Sequence, residues 1–264
     1  MKNIIIQKFK EQKNSVFVYT GALIGYLLLM VSLFPSVKKI DMEALMKDFP
    51  QQFANFFGSS GLTNYNTIEG YLSMEFLSFF FILILTFYVG SAAGSAIAGQ
   101  IEKRTIDFNL SQPVSRTKSV LAESLVALIY STLIIIACSF SMWFLGKVFN
   151  SEFKISGLIA FTVIVTFFLW AIYGIAIFIS SILKSKSTVM LATFGITLFF
   201  FIFLSLTRMV NKLKDFNKFS LFYLYNPEEL LKNGDINIWH IVILLAILLV
   251  GLFGSLMIFN KKDI

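Results

Sequence analysis

Charge is scarce in this chain, and what there is stays near the ends of the long apolar stretches. Only 14% of the 264 residues are Asp, Glu, Lys or Arg, and there is one Cys, one His and four Pro. Each shortage removes a class of function. A lone Cys138 excludes an internal disulfide and a multi-Cys metal site, and reads as a small apolar filler. The single His240 stands beside Trp239, where it reads as an interface anchor, and it excludes an H-E-x-x-H metal motif. No Asp lies in any apolar run, so the acid pair or Ser/His set that an intramembrane hydrolase needs is missing. Nor does any G-x-x-x-x-G-K-[ST] occur, so the chain has no phosphate-binding loop of the usual kind.

What is present is apolar. The composition is 57% hydrophobic with 31 Phe, and the mean hydropathy is +0.79, well above the roughly half-apolar balance of a soluble domain. Six runs approach or exceed the ~20 residues that a helix needs to cross a ~30 Å hydrocarbon core: 16–34, 71–98, 120–145, 155–183, 188–206 and 238–259. Backbone polar groups in lipid must pair within their own segment, and the alternating pattern of barrel strands is absent, so the runs are predicted helices. The expected fold class is all-α, a polytopic membrane protein with six transmembrane helices in one domain over residues 1–264.

Orientation follows from the basic residues. With a cytoplasmic N-terminus, the inner pieces (1–15, 100–119, 184–187, 260–264) carry Lys and Arg at more than twice the density of the outer ones. Both termini are then cytoplasmic, and the formal charge of +7 faces mainly the cytoplasm of a bacterial-type cell membrane. This excess signals topology and anionic lipid, not a nucleic-acid partner. The first run is too long for a signal h-region and lacks an Ala-x-Ala-like site after it, so it reads as an anchor.

In chain order, residues 1–15 place Ile4, Ile5 and Phe9 opposite lysines, the pattern of a basic interfacial helix lying on the inner leaflet. Gly21 and Gly25 are four apart in the first run, a weak packing motif. In the outer loop 35–70, Phe49, Phe53, Phe56 and Phe57 fall at three- and four-residue spacing, predicting amphipathic helices joined near Pro50 that cap the outer surface. With Glu75, one turn into the second run, they are the candidate outer gate; solvation at the interface is the plainer role for that carboxylate. The second run ends in small residues, including Gly90, Gly94 and Gly99, which predict close helix packing. Glu123 opens the third run, with an interfacial ion pair as its plain reading. The Phe crowding of the fourth and fifth runs is read mostly as lipid-facing bulk, and the aromatics and lysines of 207–237 as interface anchors.

The stretch from Gly90 to Lys118 is more than a connector needs. After Gly99, the residues Ile101, Thr105 and Phe108 form an apolar edge at helical spacing, flanked by Glu102, Lys103, Arg104 and Asp107, until Pro113 ends the helix. A short amphipathic helix in water between two membrane helices presents that edge to a partner groove.

This stretch resembles the type-2 permease family of ATP-binding cassette exporters. The resemblance rests on Ala98-Gly99-Gln100-Ile101-Glu102-Lys103-Arg104-Thr105-Ile106 followed by Leu110-Ser-Gln-Pro113-Val-Ser115-Arg116. It extends to Phe57-Gly58, Glu69-Gly70-Tyr71-Leu72, Tyr225-Asn-Pro227-Glu-Glu and the closing Phe259-Asn-Lys-Lys-Asp263-Ile264, nearly the whole chain. Gln100 and Ile101 replace the family's usual acidic pair, and Arg104 its usual Gly. The resemblance implies that Gln100, Ile101, Glu102, Lys103, Arg104, Thr105, Asp107, Phe108 and Arg116 form a coupling interface to a separately encoded ATPase subunit. That subunit would bind ATP and Mg, this chain holding no cofactor. It further implies a dimer, with a second copy or a sister permease. A secondary transporter or channel without an ATPase is the alternative, disfavoured by the lack of paired charges at mid-membrane.

Overall fold

A computed structural model describes residues 2–39, 65–102 and 116–262. Within them the chain is helical, with no strand. Six helices are long and apolar enough to cross a membrane. They are α1 (Lys2–Val37), α2 (Ile68–Ala96), α4 (Arg116–Val148), α5 (Ile155–Ile182), α6 (Lys186–Met209) and α8 (Ile238–Lys261). Two short helices join the set: α3 (Ala98–Glu102), below α2, and α7 (Pro227–Asn233), before α8. Between α6 and α7 run two 3-10 stretches, Asn211–Phe219 and Leu221–Leu224.

Burial ranks the helices. In α2 and α5, 61% of the most apolar window is buried inside the chain, against 17% in α1, 28% in α6 and 22% in α8. The last three therefore offer much of their apolar surface to lipid or to another subunit, and α5 is the hub. Its small residues allow this: a Cβ on Gly251 of α8 would stand 2.1 Å from the Gly174 carbonyl oxygen, and one on Gly174 would stand 2.6 Å from Leu248 Cα. The two backbones touch, as close approach in lipid requires. Among the described residues, an added Cβ at Gly21 or Gly25 finds nothing within 4 Å.

The bundle has two ends. Lys8, α3, the start of α4, the α5–α6 turn and Lys262 gather at the near end. Phe34, Tyr71, the α4–α5 turn and the 3-10 stretches with α7 lie at the far end. Capping follows the sequence. Thr67 Oγ1 accepts from Gly70 N–H, Asn237 Oδ1 accepts from Trp239 N–H, and α7 begins with Pro227 and ends at Gly234 in the left-handed region (φ 77).

Three readings change. Residues 2–37 form one helix, ~54 Å long at ~1.5 Å per residue, so the basic segment is not a separate interfacial helix. Its Phe9 ring packs edge-on to Tyr130 at 4.9 Å, and Phe9 C=O accepts from the Tyr130 hydroxyl. Several aromatics read as lipid-facing bulk or anchors turn inward. Phe168, Phe222 and Tyr225 are buried, and the Tyr225 hydroxyl donates to Leu77 C=O at 3.0 Å. Leu77 belongs to a π-helical stretch, Ser73–Phe81, inside α2, where the wider turn disturbs the i→i+4 ladder and leaves a carbonyl for a side chain. Burial pushes the Tyr225 phenol well above its ordinary pKa. Phe219 and Tyr223 remain exposed. Finally, Glu123 is not interfacial in its exposure: it is 2% exposed. The amphipathic pattern around Pro50 lies outside the described residues.

Candidate functional site

The small-residue end of α2 sets the near-end geometry. A Cβ on Gly90 would lie 3.3 Å from Met190 Cα, and one on Gly94 3.0 Å from the Lys186 carbonyl oxygen. One on Gly99, in α3, would lie 3.2 Å from Gly94 C=O and 3.6 Å from Lys186 Cβ. The absence of side chains at these three positions lets α2 and α3 sit directly on the first turns of α6.

The α2–α3 break is at Ile97, whose backbone (φ −129, ψ −65) leaves helical geometry. The amide of Ala98, freed there from the helical ladder, donates instead to Ser180 Oγ in the last turn of α5 at 3.1 Å. Two residues on, Gln100 Nε2 donates to Glu123 Oε2 of α4 at 3.2 Å. Two further, Glu102 Oε2 accepts from the Lys186 N–H at 2.9 Å and Oε1 accepts from the Ser185 hydroxyl at 3.1 Å. Ser185 is the N-cap residue of α6 and makes no capping bond itself, so Glu102 takes that role from another element. A carboxylate there also meets the positive end of the helix dipole. One five-residue helix thus holds α4, α5 and α6 by a separate hydrogen bond to each.

Glu123 is the electrostatic centre. Lys8 Nζ stands 3.1 Å from Glu123 Oε1 and 3.0 Å from Glu11 Oε2. The lysine therefore bridges the buried carboxylate of α4 and an exposed one on its own helix. Close by, the Tyr173 hydroxyl donates to Ser124 Oγ and the Tyr88 hydroxyl to Gln12 Oε1. Lys262 Nζ donates to Ser181 and Ile182 C=O, at 2.8 and 3.3 Å, closing the C-terminus of α5 with a cation. Burial, and then the Lys184 charge, push the Lys262 pKa below the ordinary lysine value.

The sequence-selected residues divide accordingly. Gln100 and Glu102 meet at the junction through the contacts just given, and Ile101 packs, half-buried, against the core. Arg116 is the first residue of α4. Lys103, Arg104, Thr105, Asp107 and Phe108 lie outside the described residues, as do Phe49, Phe53, Phe56 and Phe57. Glu75, in the π-helical stretch at the far end, accepts the Tyr65 hydroxyl at 2.6 Å. Burial and that hydrogen bond push the Tyr65 phenol above its ordinary pKa. Lys8, Ser180 and Lys186 are junction residues that sequence reading did not connect to α3. Nothing local marks them, because each contact spans 80 residues or more or joins separate helices. Among the described residues no group of His, Cys, Asp and Glu could hold a metal ion.

The chain matches the family described as ABC-2 family transporter protein over residues 10–264. No curated protein and no solved structure matches it. A match over nearly the full length, together with six membrane-length apolar helices, places the chain plainly: it is a multi-pass membrane protein of the ABC-2 transporter family, a transport component and not itself a catalyst.

Proposed function

We propose that the chain is the membrane-spanning permease subunit of an ATP-binding cassette exporter, driven by a separately encoded ATPase that docks on the 100–116 loop. The observation that carries this reading is the attachment of α3 to α4, α5 and α6 at once, through Gln100, Ala98 and Glu102. A force applied to the loop has a short, stiff route into three spans, because the Gly90, Gly94 and Gly99 contacts leave no slack against α6. ATP and Mg belong to the partner. Two such permeases, identical or sister chains, would pair through the apolar surface left open on α1, α6 and α8. Both termini are cytoplasmic in this reading, and the far end, with Phe49, Phe53, Phe56, Phe57 and Glu75, is the outer gate.

The test is co-purification with a co-expressed ATP-binding cassette ATPase subunit. Phe108→Asp puts a charge on the apolar edge of the docking helix and is expected to reduce both co-purification and ATPase stimulation severalfold. An unchanged complex with unchanged stimulation would sink the docking assignment.

A further inference from the structure

At the far end, α5, α6, α7 and α8 wall a cavity of about 630 Å³, a size typical of small-ligand sites. Its polar lining includes Arg208 in the last turn of α6, Asn217 in the first 3-10 stretch, Glu229 and Asn233 on α7, Asp235 before α8 and His240 in the first turn of α8. Apolar Ile164 of α5 also lines it.

Three features of this lining point to a ligand. Asn217 Oδ1 is buried and accepts no hydrogen bond among the described residues, although buried carbonyl oxygens of this kind are nearly always paired. Arg208 is half-buried, and among the described residues its guanidinium makes no ion pair or hydrogen bond, so a planar fork of donors is left for an anionic group. The Glu229 carboxylate acts on it electrostatically; Glu229 is exposed, as is Asp235. The cavity therefore separates a cationic interior from an acidic rim. Trp239, 68% exposed beside His240, has the exposure of a side chain at headgroup depth in a bilayer.

We propose that this cavity binds a zwitterionic group, with a phosphate or carboxylate on Arg208, an ammonium toward Glu229 and Asp235, and one donor of the ligand reaching Asn217 Oδ1. Neither a simple anion nor a simple cation satisfies both halves: the first meets the acidic rim, and the second meets Arg208. The same chemistry is carried by an aminophospholipid headgroup and by a soluble amino acid or peptide. The site is defined by this chain alone and does not depend on an ATPase.

The experiment uses the full chain, purified in detergent, with thermal unfolding and equilibrium binding measured against five probes: short-chain phosphatidylethanolamine, O-phosphoethanolamine, glycylglycine, inorganic phosphate and ethanolamine. At least one zwitterionic probe is expected to bind roughly tenfold or more tighter than phosphate or ethanolamine, the worth of one charge-assisted contact. Arg208→Gln and Asn217→Ala are each expected to weaken that binding by about the same factor. Preference for the lipid probe assigns a headgroup, and preference for the soluble probes assigns a free solute. Asn217→Ala decides the matter if Arg208→Gln fails to fold, since Asn217 lies outside the spans and its side chain makes no hydrogen bond among the described residues. The proposal is overturned if no zwitterionic probe binds by about 10 mM, if phosphate alone binds equally well, or if binding survives Asn217→Ala unchanged.

Discussion

Lys8 Nζ stands 3.1 Å from Glu123 Oε1, joining the first helix to a carboxylate that is 2% exposed inside the bundle. Because Lys8 keeps Glu11 as a second partner while Glu123 is bonded, among the described residues, by Lys8 and Gln100 alone, the two ends of the pair are unequal.

Removing the cation is therefore expected to cost more than removing the carboxylate charge. Lys8→Met leaves the buried Glu123 carboxyl without its cation, with a loss of roughly 3–5 kcal/mol. Glu123→Gln is expected to cost much less, and the double variant to recover most of the Lys8→Met loss. Thermal unfolding of the four proteins in detergent checks this, and additive losses in the double variant would refute the coupling.

Glu102 caps a helix to which it does not belong. Glu102→Ala is expected to lower stability by about 1 kcal/mol, the usual value of a lost cap, and Glu102→Gln by less, since an amide oxygen still accepts from the Lys186 N–H. Hydrogen exchange should quicken at the first turn of α6 in the Ala variant. Unchanged exchange there would show that the cap is dispensable.

The α5–α8 contact leaves no room for a methyl group. Gly251→Ala is expected to cost roughly 1–3 kcal/mol or more through forced separation of the two helices. Gly195→Ala is the control, since a Cβ there meets nothing within 4 Å among the described residues, and it should be neutral or slightly stabilising for a helical position. Comparable melting temperatures for the two variants would contradict the packing.

Tyr65, held neutral by burial and by its bond to Glu75, sets an alkaline limit. Its folded pKa lies above the unfolded one, so the folded state keeps a proton that the unfolded state loses above about pH 10. This contribution is present below that pH and disappears as pH rises. Melting temperature should therefore fall across this range, and less steeply in Tyr65→Phe. Equal slopes in the two proteins would remove Tyr65 from the account.

The junction shows where sequence reading stops. Gly90, Gly94 and Gly99 could be picked out because a run of side chains this small has few uses in a membrane helix, yet the helix they meet, α6, begins 87 residues after the last of them. Glu102 carried a visible charge in a visible motif, but its partners, Ser185 and Lys186, sit in a four-residue turn with no signal of its own. Gly174 and Gly251, where two long helices meet backbone to backbone, stood in unremarkable apolar runs. Tyr225 looked like an interface anchor because hydroxyl and ring fit that role; a carbonyl freed by the π-helical stretch of α2 took it inward.

By itself, the sequence determined that the chain crosses a membrane as six helices, that it has no phosphate-binding loop of the usual kind, and, through ordered motifs, which family it resembles. These properties are sums over contiguous residues: the transfer of an apolar run into lipid and the internal pairing of its backbone need no knowledge of neighbours. Only the tertiary structure decided which helix is the hub, that Glu123 is buried against Lys8, and that α3 is fastened to three spans. Those outcomes depend on which helix faces lie side by side, and in lipid that choice is made by close packing and hydrogen bonds between distant segments, not by the hydrophobicity that the sequence displays so plainly.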